Sequence, residues 1–234
     1  MLYIIRHAQA SYLSDNYDQL SDLGIQQANA LGEYLSSKID INRIYVGPHK
    51  RHIQTSEQIS VAYKNNGITI PSPVTIPHLK EYSGPATLQH YKPQLIKQDP
   101  NCIRWHKEAI ANPDLIRSNS IKIFDHFIPQ WMAGEYYLEG LEDFATFRKE
   151  IAVGVDKILE SYEPVKNTLI VTSAGSTSAI MAHLLGINNI DKIAEYCLSV
   201  YNASITNLQI KKGKWQLENF NNSEYLSKNR LTVV

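Results

Sequence analysis

The stretch "LYIIRHAQAS", Leu2 to Ser11, decides how the rest of the sequence is interpreted. Its run of apolar and mostly branched residues predicts a short buried strand over Leu2–Ile5. Arg6 and His7 follow this strand directly, and the sequence then becomes small and polar. Ligands of open α/β sheets bind beyond the carboxyl ends of the strands. Arg6 and His7 are therefore candidates for a functional site.

Predicted strands and helices alternate along most of the chain. The segments "RIYV" (Arg43–Val46), "SPVTIP" and "TLIVT" (Thr168–Thr172) predict further strands. A helix with Ser21 as its N-cap is predicted after the first strand. Its apolar face is predicted at Ile25, Ala28, Leu31 and Leu35. The C-terminal part predicts two strands joined by the turn "KKGK". This alternation predicts an α/β fold, a three-layer α/β/α sandwich with a mainly parallel mixed sheet and an antiparallel edge.

The segment from Tyr82 to about Gly140 has a weaker pattern, in which aromatic residues, prolines and short helical pieces alternate without strong strand signals. We interpret residues 82–140 as a helical cap that is inserted in a single domain spanning residues 1–234 and that lies over the strand ends. A regular amphipathic helix is predicted after it. The apolar face of that helix is formed by Phe144, Phe147, Ile151, Val155 and Ile158.

Composition argues against several classes of protein. The 234 residues include 23 Lys+Arg and 23 Asp+Glu, so no overall basic surface for nucleic acid is expected. The two cysteines exclude a disulfide framework and a cysteine-based zinc site, and we expect reduced thiols. The N-terminal apolar run is too short for a signal peptide, and no stretch approaches the about 18 to 20 apolar residues of a membrane span. A cytoplasmic protein is expected, and its oligomeric state stays open.

Three predicted strand ends carry the residue types of a phosphate site. Arg6 and His7 follow the first predicted strand, Arg51 follows the second, and Glu81 follows the third. Guanidinium groups bind phosphate oxygens in a bidentate way, and two of them disfavour protonation of His7. A neutral imidazole can attack phosphorus and form a phosphohistidine, while Glu81 can protonate the leaving alkoxide and later activate water. Each residue alone is more often structural, and only their combination favours catalysis.

Motifs over nearly the whole chain resemble those of the histidine phosphatase superfamily, in its phosphoglycerate-mutase-like branch. "RHAQAS" resembles the RHG signature, and "LSDLGIQQA" and "GPHKRHIQTSE" resemble the two motifs that follow it. "HLKEYSG", "TLIVTSAGSTSAIMAHLLGI" and "WQLENFNNSEYL" resemble later motifs in the same order. The resemblance implies that His7 is the phosphate-accepting nucleophile and Glu81 the acid. It also implies that Arg6 and Arg51 bind the phosphate, so neither a metal nor a cofactor is expected.

The sequence departs most from the superfamily pattern at Ser173, where the resemblance predicts a second catalytic histidine. Serine remains a hydrogen-bond donor at the start of a predicted helix, so we expect Ser173 to bind phosphate. Loss of one transition-state donor typically lowers the rate by about 10²- to 10³-fold. If serine is only a poorer donor, Ser173→His should raise turnover. If the pocket has been rebuilt around serine, the same change should lower turnover or phosphate affinity.

Smaller departures are Ala8 after the nucleophile, Leu13 in place of a phosphate-contacting asparagine, and Tyr225 in place of a late histidine. Five other histidines are candidates to replace the one missing at Ser173, and the spacing selects none of them. These are His49, His52, His90, His106 and His126.

The sequence favours a metal-independent phosphomonoester hydrolase that uses a phosphohistidine on His7 and acts on a small phosphorylated metabolite. The alternative is a regulatory protein that binds a phosphorylated ligand with little or no turnover. A phosphoglycerate mutase is less favoured, because a mutase must return the phosphoryl group to a substrate without losing it to water. The identity of the substrate stays open, because the poorly matched cap is expected to determine it.

Overall fold

The computed structural model describes residues 1–11 and 18–233. The described strands are β1 (Leu2–Arg6), β2 (Arg43–Val46), β3 (Val74–Thr75), β4 (Thr168–Thr172), β5 (Ile205–Lys211) and β6 (Lys214–Asn222). The described helices are α1 (Asp22–Ser36), α2 (Lys50–Asn65), α3 (Gly84–Gln98), α4 (Pro100–Ala111), α5 (Ile116–Met132), α6 (Phe144–Leu159), α7 (Ala174–Leu185) and α8 (Ile190–Ser199).

The strands form one mixed sheet in the order β3-β2-β4-β1-β5-β6. β1 and β4 are parallel neighbours at its centre, and Arg6 lies opposite Thr172. β2 and β3 continue the parallel part on one side, and β5 and β6 form the antiparallel edge on the other. The predicted α/β fold with a mainly parallel mixed sheet is confirmed. Because β1 and β4 end in register, His7 and Ser173 leave the sheet at the same edge.

Both faces of the central strands are covered. Side chains alternate between the faces of a strand, so Ile5 points to one face and Leu2 and Ile4 to the other. On the first face α1 and α2 pack against each other. Leu2 and Ile4, which point to the other face, are also fully buried. The core around α1 and α2 contains Ile5, Leu31, Leu35, Ile44, Val46, Ile59, Tyr63, Leu169 and Val171. Burial on both faces explains why β1 and β4 are continuous apolar runs in the sequence.

Local signals explain where several elements begin and end. The Ser21 hydroxyl accepts a hydrogen bond from Gly24 N at 3.0 Å and caps α1, as the sequence predicts. α7 ends at Gly186, whose φ of +69° is a backbone conformation that glycine adopts without strain. Lys212 and Gly213, with φ values of +52° and +73°, form the tight turn between β5 and β6.

Residues Tyr82–Lys149 and Asn189–Ala194 form a compact unit of their own, and the rest of the chain, with the sheet, forms another. In the first of these units α3, α4 and α5 contact one another. Its core is rich in aromatic rings: the Trp131 ring centroid lies 5.3 Å from that of Tyr82 and 5.6 Å from that of Phe144. The proposed cap, residues 82–140, falls within this helical unit. Its position over the strand ends stays a prediction.

Three details differ from the sequence-based prediction. Ile25 is 41% exposed, and the buried side of α1 uses Gly24 and Gln27 in its place. The reason is the close approach of α1 to another segment, since a Cβ on Gly24 would lie 2.0 Å from Gln9 O. The helices α3 and α5 span 15 and 17 residues and are longer than the short pieces predicted. α8 was not predicted.

The five apolar positions predicted for α6 are all buried. Cys102 and Cys197 are both buried free cysteines. Among the helices of the described residues, none combines the length and the apolar character that crossing a membrane requires.

Candidate functional site

The backbone of His7 is held from several sides at the end of β1. Its N–H donates to Thr172 O at 2.8 Å, and its carbonyl accepts from Ala203 N at 3.2 Å. The next residue, Ala8, donates its N–H to Thr55 Oγ1 at 3.1 Å, which ties the turn to α2. The imidazole therefore projects from a rigid base.

The hydrogen bonds of the His7 ring define its tautomer. Nδ1 lies 2.7 Å from Ala8 O, and a carbonyl oxygen only accepts, so Nδ1 carries the proton. Arg51 Nε donates to Nε2 at 3.1 Å, and a guanidinium only donates. Nε2 therefore carries no proton, and its lone pair accepts this hydrogen bond. The nitrogen that is available as a nucleophile is therefore Nε2, on the side of the ring where Arg51 lies.

The pKa of His7 is lowered well below its ordinary value, so the ring is neutral near pH 7. Burial is the largest cause, because it penalises the charged imidazolium, and the charges of Arg51 and Arg6 follow. The sequence predicts the effect of the two arginines. The larger effect of burial depends on the fold.

Arg51 lies in the first turn of α2 and is only 6% exposed. Its Nη1 pairs with Asp18 Oδ1 at 2.6 Å, and its Nη2 donates to Ser173 Oγ at 3.4 Å. Asp18 Oδ2 also accepts from Lys50 N at 2.9 Å, at the N-terminus of α2. Asp18 therefore orients Arg51 so that its Nε and Nη2 face His7 and Ser173.

Arg6 precedes His7 in the chain, and a hydrogen bond anchors its guanidinium. Its Nη1 donates to Val200 O. After burial and the charge of Arg51, the charge of Arg6 also lowers the pKa of His7.

Ser173 is the N-cap residue of α7, but its side chain makes no capping hydrogen bond. The hydroxyl instead lies 2.7 Å from His52 Nε2 and 3.4 Å from Arg51 Nη2. Ser173 and His52 are both 0% exposed. The structure thus connects His7, Arg51, Ser173 and His52 in one hydrogen-bonded group.

Glu81 lies on the segment that passes this group. Its N–H donates to His49 Nε2 at 3.1 Å, and His49 is the N-cap residue of α2. Two residues earlier, Leu79 O accepts from Thr172 Oγ1 at 2.9 Å. These bonds hold the backbone of Glu81 at the same edge of the sheet as His7 and Ser173.

Sequence reasoning missed the roles of Asp18 and His52 in this arrangement. Nothing in the sequence around Asp18 marks it as the partner of an arginine. His52 follows Arg51 directly, but a helix rotates about 100° per residue, so the sequence alone does not direct both side chains to one pocket. Its partner Ser173 is 121 positions away.

The smaller departures from the superfamily pattern have structural roles. Ala8 is fully buried and accepts the hydrogen bond from the His7 ring. The Tyr225 hydroxyl donates to Ala203 O, and Ala203 N in turn donates to His7 O. Tyr225 therefore supports the loop that holds the backbone of His7. Leu13 lies outside the described residues.

The described residues contain one group of three side chains with the donor atoms of a metal site, Asp99, Cys102 and His126. It lies in the helical unit, away from the residues of the candidate site in the chain. Asp99 Oδ1 accepts from the backbone N–H groups of Asn101 and Cys102 and so caps α4, and Asp99 Oδ2 lies 3.0 Å from His126 Nε2. Helix capping by Asp99 and its hydrogen bond with His126 account for two members of this group.

Acid is expected to destabilise the protein below about pH 6.5. Burial is the largest cause that lowers the pKa values of His7 and His52 well below 6.5. As the pH falls through about 6.5, both histidines take up protons in the unfolded chain but not in the folded one. Above that pH the two histidines do not lower the free energy of unfolding. Below it, each histidine lowers the free energy of unfolding by up to about 1.4 kcal/mol per pH unit.

Urea unfolding at a series of pH values measures this effect. His52→Gln is expected to reduce the slope of unfolding free energy against pH, whereas His90→Gln, on an exposed histidine, leaves it unchanged. An unfolding free energy that stays constant from about pH 7.5 to about pH 5.5 would contradict the prediction.

The comparisons with known proteins place the chain in a family. The family model of the histidine phosphatase superfamily (branch 1) matches residues 2–223. The chain belongs to this superfamily. A search of curated proteins gives no match.

Solved structures of three phosphatases share the fold. Phosphoserine phosphatase from Entamoeba histolytica, in complex with 3-phosphoglyceric acid, is 20% identical with a TM-score of 0.63, over 97% of this chain and 98% of its own. Mycobacterial glucosyl-3-phosphoglycerate phosphatase is 19% identical with a TM-score of 0.62, over 95% and 98%. The alpha-ribazole phosphatase from Shigella flexneri is 19% identical with a TM-score of 0.62, over 94% and 96%. At these low identities, the similarity shows that this chain and the three phosphatases share a fold.

Proposed function

We propose that the protein is a metal-independent phosphomonoester hydrolase in which His7 is the nucleophile. The observation that carries the proposal is the state of the His7 ring. It is buried and neutral, with its proton held on Nδ1 by Ala8 O and the lone pair of Nε2 facing Arg51. A ring fixed in this tautomer can attack phosphorus from Nε2 without first losing a proton.

In the first step Nε2 forms a bond to phosphorus while the bond from phosphorus to the ester oxygen breaks. The leaving alkoxide takes a proton from the Glu81 carboxyl. Arg6 and Arg51 neutralise the phosphoryl oxygens, and Ser173 donates its hydroxyl proton to one of them. The N–H groups in the first turn of α7 lie beside Ser173 and favour an anion there.

In the second step a water molecule attacks the phosphohistidine. The Glu81 carboxylate takes a proton from the water, the new oxygen–phosphorus bond forms, and the bond to Nε2 breaks. Inorganic phosphate leaves, and His7 returns to its neutral state. Two arginines supply the positive charge for both steps, so the proposal includes no metal or cofactor.

The substrate class that we propose is a small phosphorylated metabolite. The three similar phosphatases are named for different small compounds, alpha-ribazole, phosphoserine and glucosyl-3-phosphoglycerate. A screen of phosphorylated metabolites would identify the substrate.

The purified protein is expected to hydrolyse p-nitrophenyl phosphate at a rate that EDTA does not lower. After rapid quenching it should carry acid-labile phosphate, and peptide mapping at alkaline pH should locate that phosphate on His7. Activity that EDTA abolishes and a divalent ion restores would contradict the proposal. So would turnover with phosphate trapped on a residue other than His7.

One observation favours a second function, a regulatory protein that binds a phosphorylated ligand. Arg51 Nε already donates to the lone pair of Nε2, so the nucleophile is engaged in this state. A phosphoryl group must displace this bond before attack, and a ligand that leaves it intact would bind without reacting. Sulfate binding together with no hydrolysis of any phosphate ester would favour this alternative.

A further inference from the structure

The imidazole of His52 is a buried polar group beside the pocket that the mechanism above does not use. Its ring centroid lies 5.4 Å from that of His7 and 5.1 Å from that of His49. Its Nε2 lies 2.7 Å from Ser173 Oγ. Burial of such a ring is unfavourable unless its polar atoms have partners, and here the partner is the hydroxyl proposed to bind phosphate.

The ring is confined on the side opposite Ser173. A Cβ on Gly47 would lie 2.2 Å from His52 Nδ1 and 2.3 Å from Leu79 O, so only glycine leaves space for the imidazole there. Among the described residues Nδ1 has no hydrogen bond of good geometry, but the Gly47 backbone lies close enough to it to raise the pKa of His52 against the larger lowering by burial. The packing therefore fixes the ring, and its one close hydrogen-bonding contact is with Ser173.

The contact between His52 and Ser173 allows two proton arrangements. In the first, the Ser173 hydroxyl donates its hydrogen bond to an unprotonated Nε2, so the hydroxyl proton is not available to an anion. In the second, Nε2–H donates to Ser173 Oγ, which also accepts from Arg51 Nη2. The hydroxyl proton of Ser173 then points away from both donors and is available to a phosphoryl oxygen.

We propose that His52 is a positioning residue that acts on the bound phosphoryl group through Ser173, by donating from Nε2 to the Ser173 oxygen and so directing the hydroxyl proton to a phosphoryl oxygen. This inference rests on the phosphate-binding role proposed for Ser173. A dianion in the pocket favours the second arrangement, because only that arrangement offers it the hydroxyl proton. An anion shifts an equilibrium between two states by its difference in affinity for them.

The geometry of α7 supports this role over a purely structural one. A serine at an N-cap normally accepts a hydrogen bond from the first turn of its own helix, and Ser173 does not. Its hydroxyl lies instead within hydrogen-bond distance of His52 Nε2 and Arg51 Nη2.

Nuclear magnetic resonance of the ¹⁵N-labelled imidazole tests the proposal directly. Sulfate is a suitable probe because it is a dianion that does not titrate near neutral pH. Addition of sulfate to the wild-type protein is expected to move the Nε2 resonance of His52, assigned with His52→Gln, to the position of a protonated nitrogen. An Nε2 resonance that stays at the position of an unprotonated nitrogen while sulfate occupies the pocket overturns the proposal.

A double-mutant cycle gives the kinetic test. His52→Phe and Ser173→Ala are each expected to lower kcat by about 10²-fold with a smaller change in KM, because a donor to the transition state is lost. The double variant should lose no more than either single variant, since both changes remove the same donor. His52→Gln, which can place an N–H near the same oxygen, should recover most of the loss. Additive losses, or no recovery with glutamine, would contradict the proposal.

Ser178→Ala is the matched control. Ser178 is also a fully buried serine of α7, but its hydroxyl donates to Gly175 O within the helix. This variant should keep the wild-type kcat. A protein without any turnover refutes the hydrolase but leaves the sulfate experiment informative, so failure of the inference and failure of the proposed function can be distinguished.

Discussion

His7→Ala is expected to lower phosphatase turnover by at least about 10³-fold and to remove the acid-labile phosphoenzyme. The covalent route divides hydrolysis into two steps that both use Nε2, and alanine offers no atom that can replace it. The loss should appear in kcat, because the groups proposed to bind the phosphate, Arg6, Arg51 and Ser173, remain. Steady-state hydrolysis of p-nitrophenyl phosphate and quenched phosphoenzyme assays measure the two effects.

Sulfate affinity is the second measurement on this variant. His7 is neutral, so its removal takes no charge from the pocket, and it frees Arg51 Nε from its bond to the ring. The affinity for sulfate is therefore expected to stay within about tenfold of the wild-type value, the range of one neutral hydrogen bond. His183→Ala, which alters an exposed histidine paired with Asp156, serves as the control and should keep full activity. Turnover of His7→Ala close to that of the wild type would refute nucleophilic catalysis by His7.

The central strands and their following turns could be predicted from the sequence because burial on both faces leaves a clear apolar signal. The run "TLIVT" is buried at all five positions of β4, and the run at Leu2–Ile5 belongs to β1. Strand ends of a parallel sheet meet at one edge, and His7 and Ser173, 166 positions apart, lie at the same edge. The strand pattern predicted both strands, but only the resemblance to the superfamily singled out Ser173. Ile25 was wrongly assigned to the buried face of α1. Helical spacing identifies that face only approximately, and the close backbone contact at Gly24 buries Gly24 in place of Ile25.

The contacts within the site could not be predicted, because they depend on side-chain directions at the ends of elements. Arg51 and His52 are neighbours in the sequence, yet they contact Asp18 and Ser173, respectively, on different segments. The orientation of α2 relative to the sheet decides this, and packing of α1 and α2 sets that orientation. The dominant cause of the neutral state of His7, its burial, also belongs to the assembled fold.

The structure decides between the two outcomes that the sequence left open for Ser173→His. Ser173 Oγ lies 2.7 Å from His52 Nε2, both residues are 0% exposed, and Ala174 beside them is 7% exposed. A second imidazole would have to occupy the space that the ring of His52 already fills. Overpacking of this kind typically costs about 1–3 kcal/mol. Ser173→His alone is therefore expected to lower both the stability and, by about tenfold or more, the turnover.

Removal of the His52 ring should reverse this loss. In the double variant Ser173→His with His52→Ala, the new imidazole gains the space of the old one and can donate directly to the phosphoryl group. Its turnover should exceed that of either single variant by at least about tenfold, because one transition-state donor contributes about 10²-fold. His52→Ala alone should be slow, since Ser173 then lacks its positioning partner. Hydrolysis of p-nitrophenyl phosphate and urea unfolding of the four proteins measure these effects. Faster turnover of Ser173→His alone than of the wild type would show that the pocket holds a second imidazole beside His52, and the close packing described here would then be wrong.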